Sequence, residues 1–297
     1  MDLATIIPIC LKASIALAVL GLGLRATVGE ATSLLRAPSQ LGRAAAAMLI
    51  VAPVFAMFVA RALALQPAVA IALVALALSP VPPIWPGKAL RAGGQQTYTI
   101  GLLVAVTVLS IVVAPAVLGV RARALSLPVR PAAAAVAVVA LTTVLLPLFA
   151  GIGIRRLAPR AAAAAAGPIS TFAMVLLVLS ALPVVIQMWP VMTSLLGDGT
   201  LLAMVALALV ALAAGHVLGG PSDEDRTVLA LACASRHPGI AVTIAALAAP
   251  VERLALPAVV LYLLVSSVVG ALYVAWRKRR RHEVPERGLV SAPARAR

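Results

Sequence analysis

The sequence predicts an all-α polytopic membrane protein. About nine transmembrane helices are expected, arranged as an inverted repeat with two crossed, Pro/Gly-broken helices and divided into core and panel bundles. Three observations carry this expectation. The chain of 297 residues is 63% hydrophobic and 11% charged, with a mean hydropathy of +1.11, a balance that excludes a soluble domain. Apolar runs near 20 residues recur along it, and each is long enough to cross the hydrocarbon core of a bilayer. Two of these runs break in the same way, as SPVPPIWPGK from Ser79 to Lys88 and as ASRHPGIA from Ala234 to Ala241.

The spans are expected at roughly 4–24, 43–62, 67–87, 95–119, 131–154, 168–188, 199–219, 227–250 and 254–276. The first is read as a retained helix, because Asp2 stands where a leader would carry its basic residues. The third and the eighth contain the breaks, at Pro80, Pro82, Pro83, Pro86 and Gly87 and at Pro238 and Gly239. They stand five spans apart, so they cross in opposite directions, which is the mark of an inverted repeat. The transmembrane domain is expected over 1–276, with core spans at roughly 43–119 and 199–276 and panel spans at roughly 4–24 and 131–188. Residues 277–297 are expected as a basic cytoplasmic tail without regular structure.

Charge sets the orientation. Placing the N-terminus outside and the C-terminus inside puts 17 of the 24 Lys and Arg residues on the inside and five on the outside, as the positive-inside rule requires. Only the cluster from Arg121 to Arg130 runs against it. The formal charge of +15 is therefore read as a topology signal and not as a nucleic-acid surface. Cys10 and Cys233 lie in apolar runs and are read as small buried side chains. An enzyme is not expected, because the spans hold no carboxylate and no two-His motif on one helix face.

A broken helix in lipid needs protein or a water-lined cavity to satisfy its freed backbone groups. Paired breaks in two halves of a chain point to the binding site of a secondary transporter. Lys12, Lys88 and Arg236 are the cations inside or at the ends of spans, and no intramembrane acid stands ready to pair with them. Buried cations need partners; backbone carbonyls could serve, and so could an anionic substrate. The residues expected around it are Arg236, Lys88, His237, Ser79, Trp85, Gln95, Thr107, Ser235 and Lys12. His237 also offers a proton site, so proton coupling is open. No cofactor and no metal are expected. The partners are a small anion and membrane lipids, without nucleic acid, and nothing in the sequence sets an oligomeric state.

Three stretches resemble the bile acid:sodium symporter family. The break from Ser79 to Gly87 stands where that family has a Cys-Pro-Gly-Gly-like start and a Ser-Asn pair. VTVLSIVVAP, Val106 to Pro115, is similar to its following span, and HPGIAV, His237 to Val242, to its Glu-x-Gly-x-Gln-Asn crossing element. The resemblance implies a nine- or ten-span fold, a panel and a core, and an organic anion moved by alternating access; the weight of Ala, Arg, Leu and Val points to a GC-rich bacterial genome, and so to a bacterial inner membrane. It also exposes departures. Trp85 and Pro86 replace the Ser-Asn pair, His237 replaces the Glu, and Ala241 and Val242 replace Gln and Asn. Thr107, with Ser110 beside it, is what remains if a sodium site survives. The expectation is a carrier uncoupled from sodium, with Lys88 and Arg236 as tethered cations. The alternatives are a conventional sodium:organic-anion symporter and an efflux permease of the arsenite or auxin-carrier type.

Overall fold

The computed structural model of the protein describes residues 3–124, 132–248 and 254–287. The described residues form helices and no strands. The first helix, α1 (Leu3–Gly23), leads through the short α2 (Val28–Thr32) to α3 (Pro38–Ala45). A π-helical segment, Ala46–Val51, joins α3 to α4 (Ala52–Ala62). Then come α5 (Pro67–Leu78), α6 (Trp85–Arg91) and α7 (Gln96–Ala124). A second π-helical segment, Leu141–Leu145, joins α8 (Ala132–Ala140) to α9 (Leu146–Leu157). The remaining helices are α10 (Pro159–Ser194), α11 (Thr200–Leu218), α12 (Asp223–Ala234), α13 (Pro238–Ala248) and α14 (Ala255–Arg287).

Seven continuous helical stretches are long and apolar enough to cross a membrane. An eighth span forms if α12 and α13, which meet at a bend of 40°, are taken together. The remaining expected span, 67–87, consists of the 12-residue α5, an irregular stretch and the 7-residue α6. Neither piece crosses a bilayer alone at 1.5 Å per residue.

Two boundaries differ from expectation for local reasons. The helix expected at 168–188 runs for 36 residues from Pro159 to Ser194. Pro159 occupies its first turn, where a missing N–H costs nothing, and the alanines that follow are strong helix formers. The basic run Arg277–Arg281 was expected to begin an irregular tail. Instead it continues α14, which ends at Arg287, and Arg277 is tied down by a 3.4 Å ion pair with Asp223 and a bond from its Nε to Thr227 Oγ1. Residues 288–297 lie outside the described residues, as do residues 125–131, which hold Arg130 of the cluster from Arg121 to Arg130.

α1, α9 and α10 pack on one another, and the larger apolar cluster lies among α4, α5, α7 and α11–α13. Its side chains are largely Ala, Val and Leu. In lipid, small residues permit the close backbone approach that drives helix association. Gly215 shows how close that approach is: a Cβ there would stand 2.5 Å from Leu229 O of α12 and 2.6 Å from Ala230 Cα. Gly153 has open space instead. Gly215→Ala is therefore expected to lower stability by about 1–3 kcal/mol through backbone overlap. Gly153→Ala should leave it unchanged or raise it by up to about 1 kcal/mol through helix propensity. Thermal unfolding of the two purified variants checks the contrast.

Candidate functional site

The two breaks meet. α5 ends at Ser79, whose backbone is extended and whose Oγ donates to Leu76 O at 2.8 Å. Pro80, Pro82 and Pro83 then forbid continuation, since proline has no N–H and fixes its φ. α12 ends the same way at the extended Ser235, and Pro238 opens α13 at a position that tolerates proline. Between them, His237 N–H donates to Pro80 O at 2.8 Å, so the backbones of the two breaks are joined directly.

Arg236 lies at this junction with 1% of its surface exposed. Its Nη1 donates to Ala77 O and Ser79 O, both at 3.1 Å, and to Met48 O at 3.4 Å. Ala77 and Ser79 end α5. The last carbonyls of a helix have no partner within it and carry its negative dipole end. A guanidinium, with five N–H donors in a fixed plane, suits such a cluster. Met48 belongs to the first π-helical segment, where the regular carbonyl spacing is interrupted. The end of α12 is served in a parallel way, by Tyr262 of α14, whose hydroxyl donates to Ala234 O at 3.2 Å. Arg236 Nη2 and Trp85 Nε1 are buried donors with no acceptor in the described structure.

His237 caps α13. Its Nδ1 accepts from Ile240 N–H at 3.3 Å, which leaves the ring proton on Nε2. That nitrogen donates to Thr143 Oγ1 at 3.3 Å, and the Thr143 hydroxyl donates to Val139 O at 2.6 Å. The ring is thus committed on both sides in its neutral form. Thr143 belongs to the second π-helical segment. Each π segment therefore meets one residue of the second break.

A separate cleft of about 520 Å³ opens beside the first break. Its walls are α1 (Ala18, Leu22) with Arg25 in the turn after it, and α10 (Ser170, Thr171, Met174), on one side. Facing them are Pro83, Ile84, Pro86, Gly87, Leu90 and Arg91, with Gln96 from α7. Arg91 Nε donates to Gly87 O at 3.0 Å, and Gln96 Nε2 donates to Glu30 Oε1 at 2.8 Å. Arg25 presents its carbonyl to Arg155 Nη1 and Gln96 Nε2. Its guanidinium forms no ion pair among the described residues.

Several expected site residues lie elsewhere. Arg236, Lys88 and His237, expected to grip an anion, do not line the cleft. Arg236 is spent on carbonyls. Lys88 is half-buried and points at α14, its Nζ 3.0 Å from where a Cβ of Gly270 would stand. Gln95 is exposed and outside the cleft, whereas its neighbour Gln96 lines it. Lys12 is exposed along α1. Ser235 caps α12 with its N–H on Leu231 O. Thr107 and Ser110 are buried, but each donates to its own helix, to Leu103 O at 2.6 Å and to Thr107 O at 2.8 Å. Trp85 is buried at the start of α6. Sequence reasoning missed Met48, Thr143 and Tyr262, and it read Arg25 and Arg91 only as topology signals.

Residues 13–192, well over half of the chain, match the profile of the sodium bile acid symporter family. The chain belongs to that family. The sodium bile acid symporter family consists of transporters and not of enzymes, so the protein is a membrane transporter. The match takes in the first break and the cleft walls and ends before α11, so the Arg236 break lies beyond it. No curated protein matches the chain.

Two measurements test this geometry. Arg236→Gln shortens the side chain and strands the Ala77 and Ser79 carbonyls, and should cost at least about 2 kcal/mol of stability. Lys12→Gln, at an exposed site, should stay within about 0.5 kcal/mol. Separately, a double-mutant cycle of Thr143→Val and His237→Ala should give a coupling of about 0.5–1.5 kcal/mol. Strict additivity would mean that no bond joins the two residues.

Proposed function

We propose that the protein is a secondary transporter of small organic anions, working by alternating access, with the Arg236 guanidinium standing permanently where a sodium-coupled relative would load its ion. The observation that carries this reading is the set of three carbonyls on Arg236 Nη1. Oxygens at a helix C-terminus are what a hard cation seeks, and here a covalently attached cation already has them. The unpartnered group left at the junction is a donor, Arg236 Nη2, which repels a cation.

The substrate path is the cleft between the α1/α10 wall and the first break. Arg25 and Arg91 supply the charge, Ser170, Thr171 and Gln96 supply hydrogen bonds, and Leu22, Ile84, Leu90 and Met174 supply apolar contact. Such a lining suits an amphipathic anion with one acidic group. On the orientation read from charge, with the C-terminus cytoplasmic, this cleft opens inward. The nine-span inverted repeat, with a core around the crossing and a panel of α1, α9 and α10, supplies the two bodies that alternating access needs. The neutral, doubly bonded His237 favours a structural role for that ring over proton carriage.

The reading with sodium coupling retained is favoured by the family itself, and one experiment separates the two. Purified protein is melted against a panel of organic carboxylates and sulfonates, in sodium chloride and in choline chloride. A ligand of the folded state raises Tm by mass action. The expected outcome is a shift of equal size in both salts. Arg25→Gln and Arg91→Gln should each weaken apparent affinity about tenfold or more, the worth of a charge-assisted bond, with the unliganded Tm unchanged. A shift confined to sodium chloride would sink the proposal and leave a conventional symporter.

A further inference from the structure

A second apolar groove, of about 550 Å³, lies between α11 and α14. Its floor is formed by Val205, Leu209, Leu212 and Ala213 of α11 with Val269 and Leu272 of α14. It takes no part in the junction or in the cleft described above. What distinguishes it from ordinary lipid-facing surface is how it ends. His216 Nδ1 and Tyr273 Oη are hydrogen-bonded at 2.8 Å. Trp276 closes the cluster, with ring centroids 5.8 Å from His216 and 5.7 Å from Tyr273. The exposed Arg280, one turn beyond Trp276 on the same face of α14, stacks its guanidinium over the Trp276 ring at 5.4 Å. Arg277 is already committed to Asp223 and Thr227. Arg280 has no ion pair among the described residues.

We infer that this groove is a specific site for one anionic phospholipid. An acyl chain lies between α11 and α14, its upper methylenes meet the His216–Tyr273–Trp276 cluster, and the phosphate is taken by Arg280. The order of groups matches the order of a lipid: apolar groove, then amphipathic aromatic rings, then the Arg280 cation, all along one face of α14. Tyr and Trp settle at the interface because one end of each is apolar and the other polar. Basic residues just beyond that level attract anionic headgroups. Stacking on Trp276 holds the Arg280 guanidinium over the groove mouth and not out in water. A second copy of this chain fits less well, because it would bring the same basic run against itself.

The test uses the full chain, purified in detergent and stripped of lipid. Phosphatidylglycerol, phosphatidylcholine of the same acyl chains, and inorganic phosphate are added in turn, and Tm and native mass spectra are recorded. Phosphatidylglycerol is expected to raise Tm by a few degrees and to add one retained lipid per chain. Phosphatidylcholine and free phosphate should do neither. Arg280→Gln, at an exposed position, should remove at least about half of the shift. Ala213→Trp, which fills the groove, should remove the retained lipid. Equal stabilisation by phosphatidylcholine would overturn the headgroup assignment and with it the proposal. So would a shift that survives both variants, stabilisation by free phosphate alone, or a dimer that Ala213→Trp dissolves while phosphatidylglycerol has no effect. None of these results depends on which substrate is carried or on sodium.

Discussion

A guanidinium closing the carbonyl end of a broken helix is the interaction on which the rest of this structure depends. α5 stops at Ser79 inside the apolar core, where no water can take over its last carbonyls. Each such group left alone would cost on the order of 1–3 kcal/mol. Arg236 takes two of them and a third from Met48. Its own charge is in turn tolerable there only because those oxygens and the helix dipole receive it. Neither half is stable without the other, and the half-helices are joined from opposite ends of the sequence by one side chain. The His237 N–H on Pro80 O and the Tyr262 hydroxyl on Ala234 O complete the junction.

The π-helical segments explain how helices that are otherwise regular supply what the breaks need. A regular helix hides its carbonyls and fixes the azimuth of every side chain. One widened turn at Ala46–Val51 lets Met48 O reach Arg236, and another at Leu141–Leu145 lets Thr143 meet His237. The second contact differs in kind from the first. It joins the second break to the helix that continues as α9, which packs on α1. A single hydrogen bond at such a boundary is worth about 1 kcal/mol. That is enough to favour one arrangement and too little to forbid another.

The chain makes its membrane character and its two breaks plain, because lipid imposes length and proline imposes interruption. It also marks Arg236 as a cation in need of partners. Backbone carbonyls and an anionic substrate both stand open as those partners in the sequence, and no residue type announces which; in the structure they are the carbonyls of Met48, Ala77 and Ser79. The π segments are equally silent: AAMLIV and LTTVL read as ordinary helix. Gln95 and Gln96 differ by one position, and one position on a helix is a rotation of about 100°. Only the fold decides which of them meets the cleft. Arg25 and Arg91 were masked by their place at span ends, where the positive-inside rule explains any Lys or Arg. The helical course of Arg277–Arg281 was hidden because the basic run fits a solvated tail as well as it fits a helix, until Asp223 and Thr227 are seen beneath it.

A tethered cation has a thermodynamic consequence that a dissociable one lacks. An ion that binds and leaves carries the energy of its gradient into the cycle. Arg236 cannot leave, so on the proposed reading the junction is always loaded and no gradient is spent there. A monoanion moved alone then answers to its own concentration and to the membrane potential. An inside-negative potential drives it outward by about 2.3 kcal/mol per 100 mV, nearly a fiftyfold bias against accumulation. An uncoupled carrier of this design therefore works in one of two regimes. It exports anions that the cell makes, or it exchanges one anion for another of equal charge, so that the potential cancels. Uptake against a gradient would require a further ion, and the His237 ring, bonded at both nitrogens, offers it no proton site at the second break.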